Sequence, residues 1–320
     1  MGCSNSKSDT VVKEWSAGSK TSPQKPTHIN GKRPLGLSVA SSPKTELNDI
    51  HVNIPDPFRS HYKVTDVMFE KGRRKLCRGV NRTRHDVVIE FTNLKAYEAE
   101  GYTEIDFFNR LDILRELDHV CTPRVLDFFD GSDVNKIVFE YAPGKDLRHL
   151  LKAKGPLAPK AVKPVALALI SVLQYLHKNN IIHRNLSASN IIMSSFSSFS
   201  NENQMKVVGF TRPARAPRVG DNIDGLSPLP PVEQKYIDSS SAPELCMAGH
   251  GPAVDLYSLG AVLYEAVTGT LPDSGDFTFG LEWCAEELVT YGVKELVSGL
   301  LSKDPLQRPN LKVAKRYFYS

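Results

Sequence analysis

The sequence lacks any apolar run long enough to cross a lipid bilayer. Its longest run, residues 165–173, is less than half of the roughly 20 residues that a membrane-spanning helix needs, and no stretch resembles the apolar core of a secretory signal peptide. Cysteine is scarce, and five scattered residues favour a reducing compartment over a disulfide framework. The net charge of +4 is too small to argue for nucleic-acid binding, so we expect no nucleic-acid partner.

The overall composition, with 41% hydrophobic and 24% charged residues, is typical of a globular chain. A length of 320 residues admits one two-lobed domain or two ordinary domains. Residues 8–60 differ from the rest because they are rich in Ser, Thr, Lys and Pro and poor in aromatic residues. That composition predicts a disordered tether ahead of the folded part.

The chain begins Met-Gly-Cys-Ser-Asn-Ser. Gly2 followed by Ser6 fits the N-myristoylation pattern, and Cys3 offers an adjacent palmitoylation site. A single myristoyl chain binds membrane only marginally, so the second acyl chain would make attachment stable. Six basic residues against two acidic ones between positions 7 and 33 would also favour an anionic surface, although a solvated linker explains them equally well. We therefore expect the protein at the cytoplasmic face of a membrane, held by a myristoyl and palmitoyl anchor.

The most informative stretch is residues 181–192, Ile-Ile-His-Arg-Asn-Leu-Ser-Ala-Ser-Asn-Ile-Ile. Two apolar pairs enclose a polar turn, which predicts a loop held at both ends by short buried segments. The spacing His-Arg-x-Leu-x-x-x-Asn resembles the catalytic loop of protein kinases, and an Ala-Pro-Glu triplet follows at residues 242–244, as it does in that family. The family positions that the sequence retains are His183, Arg184, Asn190, Phe210, Glu244, Asp255 and Arg308.

The resemblance covers about residues 62–316 and implies an α+β, two-lobed protein-kinase fold: a small antiparallel β lobe with one helix, then a large, mainly helical lobe. Residues 1–60 are then a disordered acylated membrane tether, 61–141 the N-lobe, 142–316 the C-lobe and 317–320 a tail. The apolar patterns predict strands over 64–69, 76–80, 87–91, 125–129 and 136–141, and helices over 104–118, 146–151 and 162–178. The family also implies an ion pair between Glu244 and Arg308, and a hydrogen bond from the catalytic-loop backbone to Asp255.

The sequence departs from the family where the chemistry is concentrated. Glu90 stands in place of the third-strand lysine that holds phosphate, Asn185 in place of the catalytic aspartate, and Gly209 in place of the aspartate that binds metal. A carboxylate repels phosphate, a carboxamide lacks the basicity of a carboxylate, and glycine offers no side-chain oxygen to a metal. Arg110 aligns with the helix glutamate of the family, so the usual Lys–Glu pair would become Glu90–Arg110; a solvated Arg110 is the open alternative.

The resemblance therefore implies a pseudokinase: a catalytically inactive, kinase-like domain, with no metal site and with weak or absent binding of ATP and Mg²⁺. It would act in signalling as a scaffold or allosteric partner, with a protein partner such as an active kinase. An alternative is an atypical ATP-binding protein kinase with weak phosphotransfer, in which Lys71 or Lys75 of the first hairpin replaces the lost lysine. In a third interpretation the acylated tail is the working part and the folded domain is inert.

Overall fold

A computed structural model describes residues 57–196, 199, 202–216, 226–235, 237–272 and 291–319 of the chain. The predicted acylation residues Gly2 and Cys3, and the tether up to residue 56, lie outside these ranges. Within the part of the chain that the structure describes, no helix combines the length and apolar character that a bilayer crossing requires.

The N-lobe is built on a five-stranded antiparallel sheet with the strand order β1-β2-β3-β5-β4. All five strands overlap the predicted ones, and their bounds are β1 Tyr62–Lys71, β2 Arg74–Asn81, β3 Asp86–Asn93, β4 Val125–Phe129 and β5 Val134–Glu140. Successive side chains of a strand point to opposite faces. In β3 this alternation places Val87 and Ile89 in a small apolar cluster with Val138, and places the buried Glu90 on the other face.

Three helices accompany this sheet: α1 Pro57–His61, α2 Leu94–Ala99 and α3 Glu104–Glu116. Phe58 of α1 is buried, and its ring stacks on Tyr62 and meets Phe129 edge-on. Residues 57–60, which the sequence analysis assigned to the tether, therefore belong to the folded helix α1. In α3, Thr103 and Asp106 form a capping box that satisfies the first backbone N–H groups.

The C-lobe is mainly helical, as predicted. Within the described ranges its α-helices are α4 Leu147–Lys154, α5 Pro159–Lys178, α6 Pro231–Gln234, α7 Ala253–Thr268, α8 Tyr291–Leu300 and α9 Leu311–Arg316. Short strands join the segments between them: β6 Lys145–Asp146, β7 Ile181–Ile182, β8 Ile191–Met193, β9 Met205–Val207 and β10 Ala214–Arg215. Almost every residue of α7 is buried, and α5 and α8 both pack on it, so α7 forms the centre of the lobe.

Two sequence-derived boundaries shift in the C-lobe. Helix α5 begins at Pro159, three residues before the predicted start, because proline is well suited to the first helical turn. The predicted tail, residues 317–320, contains Phe318, which is buried in the main core. That core includes Phe107 and Leu111 of α3 together with residues of the C-lobe helices, so apolar packing is continuous between the two lobes.

Candidate functional site

Glu90 lies at the centre of a buried charge cluster between β3 and α3. Only 1% of its surface is exposed. Arg110 donates two hydrogen bonds to its carboxylate, from Nη1 to Oε1 at 2.6 Å and from Nη2 to Oε2 at 3.0 Å. The predicted Glu90–Arg110 pair is thus present with bidentate geometry, which is the strongest arrangement for an arginine and a carboxylate, and Arg110 is not the solvated charge of the alternative.

A second arginine, which the sequence analysis did not pair, reaches the same carboxylate. Arg74 at the start of β2 donates from Nη2 to Glu90 Oε2 at 2.6 Å. Burial alone would raise the pKa of Glu90, but the charges of Arg110 and Arg74 outweigh it and hold the pKa well below the ordinary value. Glu90 therefore stays ionised, and both of its oxygens are engaged by arginine.

Arg110 also links this cluster to the segment that follows β9. Its Nε donates to the backbone oxygen of Phe210 at 2.7 Å, and the Phe210 ring lies 4.3 Å from the ring of His183. His183 Nε2 lies 3.1 Å from the carbonyl oxygen of Val208, which can only accept, so Nε2 carries the proton and Nδ1 accepts from the backbone N–H of Asn185. Burial lowers the pKa of His183, consistent with this neutral ring.

The loop after β7 is anchored on Asp255 of α7. The backbone N–H groups of His183 and Arg184 each donate to this buried carboxylate at 2.9 Å, as predicted, and His177 Nε2 lies 2.9 Å from it. Arg184 adopts a φ of +60°, a left-handed conformation that a non-glycine residue holds only when its surroundings fix it. The Asp255 carboxylate supplies that restraint.

Asn185 occupies the predicted catalytic position with every polar atom of its side chain engaged. Its Nδ2 donates to the carbonyl oxygen of Gly209 and to Thr211 Oγ1, both at 3.0 Å. Its Oδ1 accepts from Arg212 Nη2 at 2.7 Å. A carboxylate could not make the bond to the Gly209 carbonyl, because both groups are acceptors. The local structure is therefore built around a carboxamide.

Gly209 sits against Asn190 in a conformation that excludes a side chain. Its φ is +78°, and a Cβ added to it would approach the Asn190 side chain to 2.3 Å. Asn190 is itself held by a bond from its Nδ2 to the backbone oxygen of Asn185 at 2.7 Å. Asn190 thus fills the space that an aspartate at position 209 would need. Among the described residues there is no group of three His, Cys, Asp or Glu side chains that could hold a metal ion.

A second ionic cluster, centred on Glu233 of α6, bridges the two lobes. Arg73 in the β1–β2 turn donates from Nη2 to Glu233 Oε1 at 2.7 Å, Tyr102 also donates to Oε1, and Arg212 Nε lies 3.2 Å from Oε2. Arg73 also pairs with Glu100, and its guanidinium lies 4.3 Å from the centre of the Tyr102 ring. No local sequence signal indicated this cluster, since Arg73 and Glu233 are 160 positions apart.

A cleft of about 690 Å³ lies beside this cluster, between α3 and the segment after Phe210, and Arg184, Arg212 and Arg215 contribute to its lining. None of the described residues accepts a hydrogen bond from the buried Nε of Arg184. Burial and the neighbouring charge of Arg212 lower the pKa of Arg184 to about 10, which still leaves the guanidinium charged at neutral pH. Arg184 therefore brings a positive charge to this wall of the cleft, whereas Arg212 and Arg215 are paired with Glu233 and Glu116.

The predicted ion pair between Glu244 and Arg308 is also present. Arg308 Nη1 pairs with Glu244 Oε1, Nη2 donates to Oε2 at 3.0 Å, and Nη1 also donates to the backbone oxygen of Ala253 at 2.9 Å. The pair ties the short 3₁₀ turn at Pro243–Cys246 to the start of α7. Because Arg308 is buried, this contact is part of the framework of the C-lobe.

The two lysines proposed as substitutes lie at the β1–β2 hairpin. Gly72, with a φ of +55°, allows the tight turn between Lys71 at the end of β1 and the start of β2. Lys75 Nζ lies 3.0 Å from Glu70 Oε2, and both side chains are substantially exposed. Lys75 is therefore engaged in an exposed ion pair at the hairpin, and such pairs contribute little to stability.

Comparison with known proteins shows similarity to protein kinases. The protein kinase domain family matches residues 76–319. Hormonally up-regulated neu tumor-associated kinase of Homo sapiens is 25% identical over 297 residues, covering 86% of this chain and 38% of that protein. Serine/threonine-protein kinase RUNKEL of Arabidopsis thaliana is 29% identical over 245 residues, covering 72% of this chain and 17% of that protein. The chain thus spans well under half the length of these two relatives.

Among solved structures, the crystal structure of Rad53 1-466 in complex with AMP-PNP resembles this chain with a TM-score of 0.60 and 19% sequence identity. The match covers 80% of this chain and 64% of that one. At this level of identity the likeness concerns the fold alone.

Proposed function

The chain belongs to the protein kinase family, and we propose that within this family it is a pseudokinase that binds partners instead of transferring phosphate. The family membership rests on the match to residues 76–319, and the relatives named above are kinases. A fold does not determine a function, so the proposal depends on what the individual site residues can do.

The observation that carries it is the buried carboxylate of Glu90. In the family, a lysine at this position of the third strand contacts phosphate. Here the side chain is negative, ionised and fully engaged by Arg110 and Arg74. Glu90 offsets one of the two arginine charges and holds both guanidinium groups by hydrogen bonds, so no lysine ammonium is offered to a phosphate at this position and the carboxylate itself would repel one.

Two further positions support the same conclusion. Asn185 has no basic group and is held by Gly209, Thr211 and Arg212. Gly209 has no side-chain oxygen, and its surroundings leave no room for one. Removing a single charge-stabilising group from an active site costs on the order of 10²–10³ in rate. Three such changes would leave little catalysis, even though their effects do not simply multiply.

The residues do not fit a magnesium–nucleotide complex. The metal position lacks an oxygen ligand at Gly209, and the phosphate position carries the Glu90 carboxylate. We therefore propose that the protein binds ATP with Mg²⁺ weakly or not at all, and no phosphotransfer step is assigned to it.

The proposal extends to where the protein acts. Gly2 and Cys3 would carry myristoyl and palmitoyl chains and hold the protein at the cytoplasmic face of a membrane. There the kinase-like domain would serve as a scaffold or allosteric partner in signalling, and an active kinase is the protein partner that its fold suggests. The first check is the mass of the N-terminal peptide from cells, which would reveal both acyl groups.

The decisive experiment measures the thermal unfolding midpoint of the full chain with and without millimolar ATP, each with and without Mg²⁺. A ligand present at about 100 times its dissociation constant would stabilise the fold by about 2.7 kcal/mol, which is easily detected. We expect no shift that depends on Mg²⁺. A Mg²⁺-dependent shift, accompanied by transfer of phosphate from labelled ATP to a protein substrate, would refute the proposal.

The second candidate is an atypical kinase in which a hairpin lysine replaces the missing one. The exposed ion pair of Lys75 with Glu70 is the observation that favours it, because such a pair is easily exchanged for another anion. This function requires that Lys71→Ala or Lys75→Ala abolish phosphotransfer. If the chain with its own sequence transfers no phosphate, the second candidate is excluded and the lysine variants are not needed.

A further inference from the structure

Helices α5 and α9 form a surface that contains no acidic residue. The twenty residues of α5, Pro159–Lys178, include neither Asp nor Glu, and the same is true of α9 and of residues 317–320 that follow it. The two helices pack against each other. The charged residues that these two helices themselves expose are therefore all basic; the exposed Glu295 of α8 lies at the border of this surface, in contact with Tyr317.

Six exposed residues define this surface, which we call the α5–α9 basic face: Lys160, Lys163, Lys312, Lys315, Arg316 and Tyr319. Lys163 Nζ of α5 lies 5.0 Å from the centre of the Tyr319 ring, which joins the two helices at the surface. The Tyr319 side chain is 66% exposed. A shallow depression of about 500 Å³ is lined by Lys312, Lys315, Arg316 and Tyr319.

The charges of this face are not neutralised by the described part of the protein, where no salt bridge reaches any of its five basic residues. Other cations of the fold do have carboxylate partners: Arg110 pairs with Glu90, Arg148 with Glu265 and Arg308 with Glu244. Like charges held close together repel one another. An external anionic partner would remove that repulsion, whereas solvent and salt only screen it.

The chemistry of the face fits a lipid surface. Four of its five cations are lysines, which act as strongly hydrated point charges on flexible stems, and the planar, bidentate recognition typical of arginine is largely missing. An exposed tyrosine has an apolar ring and a polar hydroxyl, which suits the boundary between headgroups and acyl chains. Juxtamembrane lysine and arginine residues are attracted to anionic leaflets in the same way.

We propose that the α5–α9 basic face lies on an anionic membrane surface and fixes the orientation of the kinase-like domain there. The proposal rests on the membrane attachment proposed above, because the acylated N-terminus is what would bring the domain to the bilayer. Acylation of the N-terminus would not by itself determine which face of the domain meets the bilayer. With the basic face down, every protein partner would meet the domain in one orientation.

The test uses the full chain carrying Gly2→Ala, so that no myristoyl group contributes. Its sedimentation with vesicles of phosphatidylcholine alone is compared with that on vesicles enriched in phosphatidylserine, at about physiological salt, where the Debye length is about 8 Å. The test variant carries Lys312→Glu, Lys315→Glu and Arg316→Glu. The matched control carries Lys63→Glu, Arg84→Glu and Lys145→Glu, which make the same change of charge at exposed residues outside the basic face.

We expect the parent chain and the control variant to bind only the anionic vesicles, and to bind them similarly. Each basic residue near such a surface contributes about 1 kcal/mol, so the test variant should bind more than 100-fold more weakly. The variant Lys312→Gln, Lys315→Gln, Arg316→Gln removes the charges without reversing them, so its binding to anionic vesicles should weaken less. Unfolding midpoints equal to that of the parent chain would show that the variants fold.

Equal binding by the test and control variants would overturn the proposal, as would equal binding of the parent chain to neutral and anionic vesicles. Retention on heparin without binding to vesicles would assign the face to an acidic macromolecule and also overturn it. Failure of the acylation proposal is read separately, from the mass of the N-terminal peptide, and would leave the vesicle result standing.

Discussion

Replacing Glu90 with glutamine removes one negative charge from a buried site that holds two arginines. Glutamine has nearly the same shape but no longer offers a negative charge to Arg110 and Arg74, which contact Glu90 through three hydrogen bonds of 2.6, 3.0 and 2.6 Å. Arg110 is buried and cannot turn to solvent. Breaking a buried ion pair by removing one partner costs about 3–5 kcal/mol.

This loss is a large fraction of the stability of a domain, which totals about 5–15 kcal/mol. For a domain of this size each kcal/mol lowers the unfolding midpoint by about 2–4 °C, so Glu90→Gln should lower it by about 6–20 °C. Urea unfolding followed by circular dichroism measures the loss directly, as a change in the free energy of unfolding. The double variant Glu90→Lys, Arg110→Glu restores opposite charges and should be more stable than the sum of its two single variants predicts.

The reference for this measurement is the exposed pair of Arg78 with Asp86. Asp86→Asn should leave the midpoint nearly unchanged, because solvent already screens that pair. If Glu90→Gln were as mild as Asp86→Asn, the buried cluster would not be a structural centre of the N-lobe. Additive effects in the double variant would refute the direct pairing of residues 90 and 110.

The Glu90 cluster also predicts a pH dependence. The two arginines hold the folded-state pKa of Glu90 below its ordinary value of 4.5, so its contribution to stability is fully present above that value and is lost as the pH falls towards the folded-state pKa. The stability difference between the unmodified chain and Glu90→Gln should be constant near neutral pH and should shrink below about pH 4.5. If this difference in stability stayed the same down to pH 3, the conclusion that Glu90 is an ionised, arginine-bound carboxylate would be wrong.

Three further predictions concern the candidate site. Asn185→Asp should not create phosphotransfer and should destabilise the fold by about 1–3 kcal/mol, because the Gly209 carbonyl loses its donor; a raised midpoint in a thermal scan would contradict this. Gly209→Ala should lower the free energy of unfolding in urea by more than about 1 kcal/mol, because residue 209 has a positive φ and lies against Asn190. Gly251→Ala is the control and should have little effect, because the space around Gly251 is open. Glu233→Gln should weaken the contact between the lobes and speed amide hydrogen exchange in α3 and the β1–β2 turn. If exchange increased only within α6, the positions of Arg73 and Tyr102 would not depend on the Glu233 carboxylate.

Most strands and helices could be predicted because each depends on a pattern of apolar residues that are close together in the sequence. Alternating apolar residues predicted the five strands of the N-lobe, and the 3.6-residue apolar stripe of residues 104–118 predicted α3. The pairs Glu90–Arg110 and Glu244–Arg308 were predictable as well, because the family frame places those positions side by side. Where boundaries moved, as at Phe58 and Phe318, a single aromatic residue is buried by contacts that are distant in sequence, and no local pattern signals such contacts.

The sequence by itself therefore determined the elements, their order and the unusual residues at positions 90, 185 and 209. The tertiary structure alone decided which charges meet: Arg74 on Glu90, and Arg73, Tyr102 and Arg212 on Glu233. It also decided that Asn190 occupies the space beside Gly209. The physical reason is that backbone patterns act over a few residues, whereas an ion pair or a steric contact depends on a distance in space that only the packed lobes set.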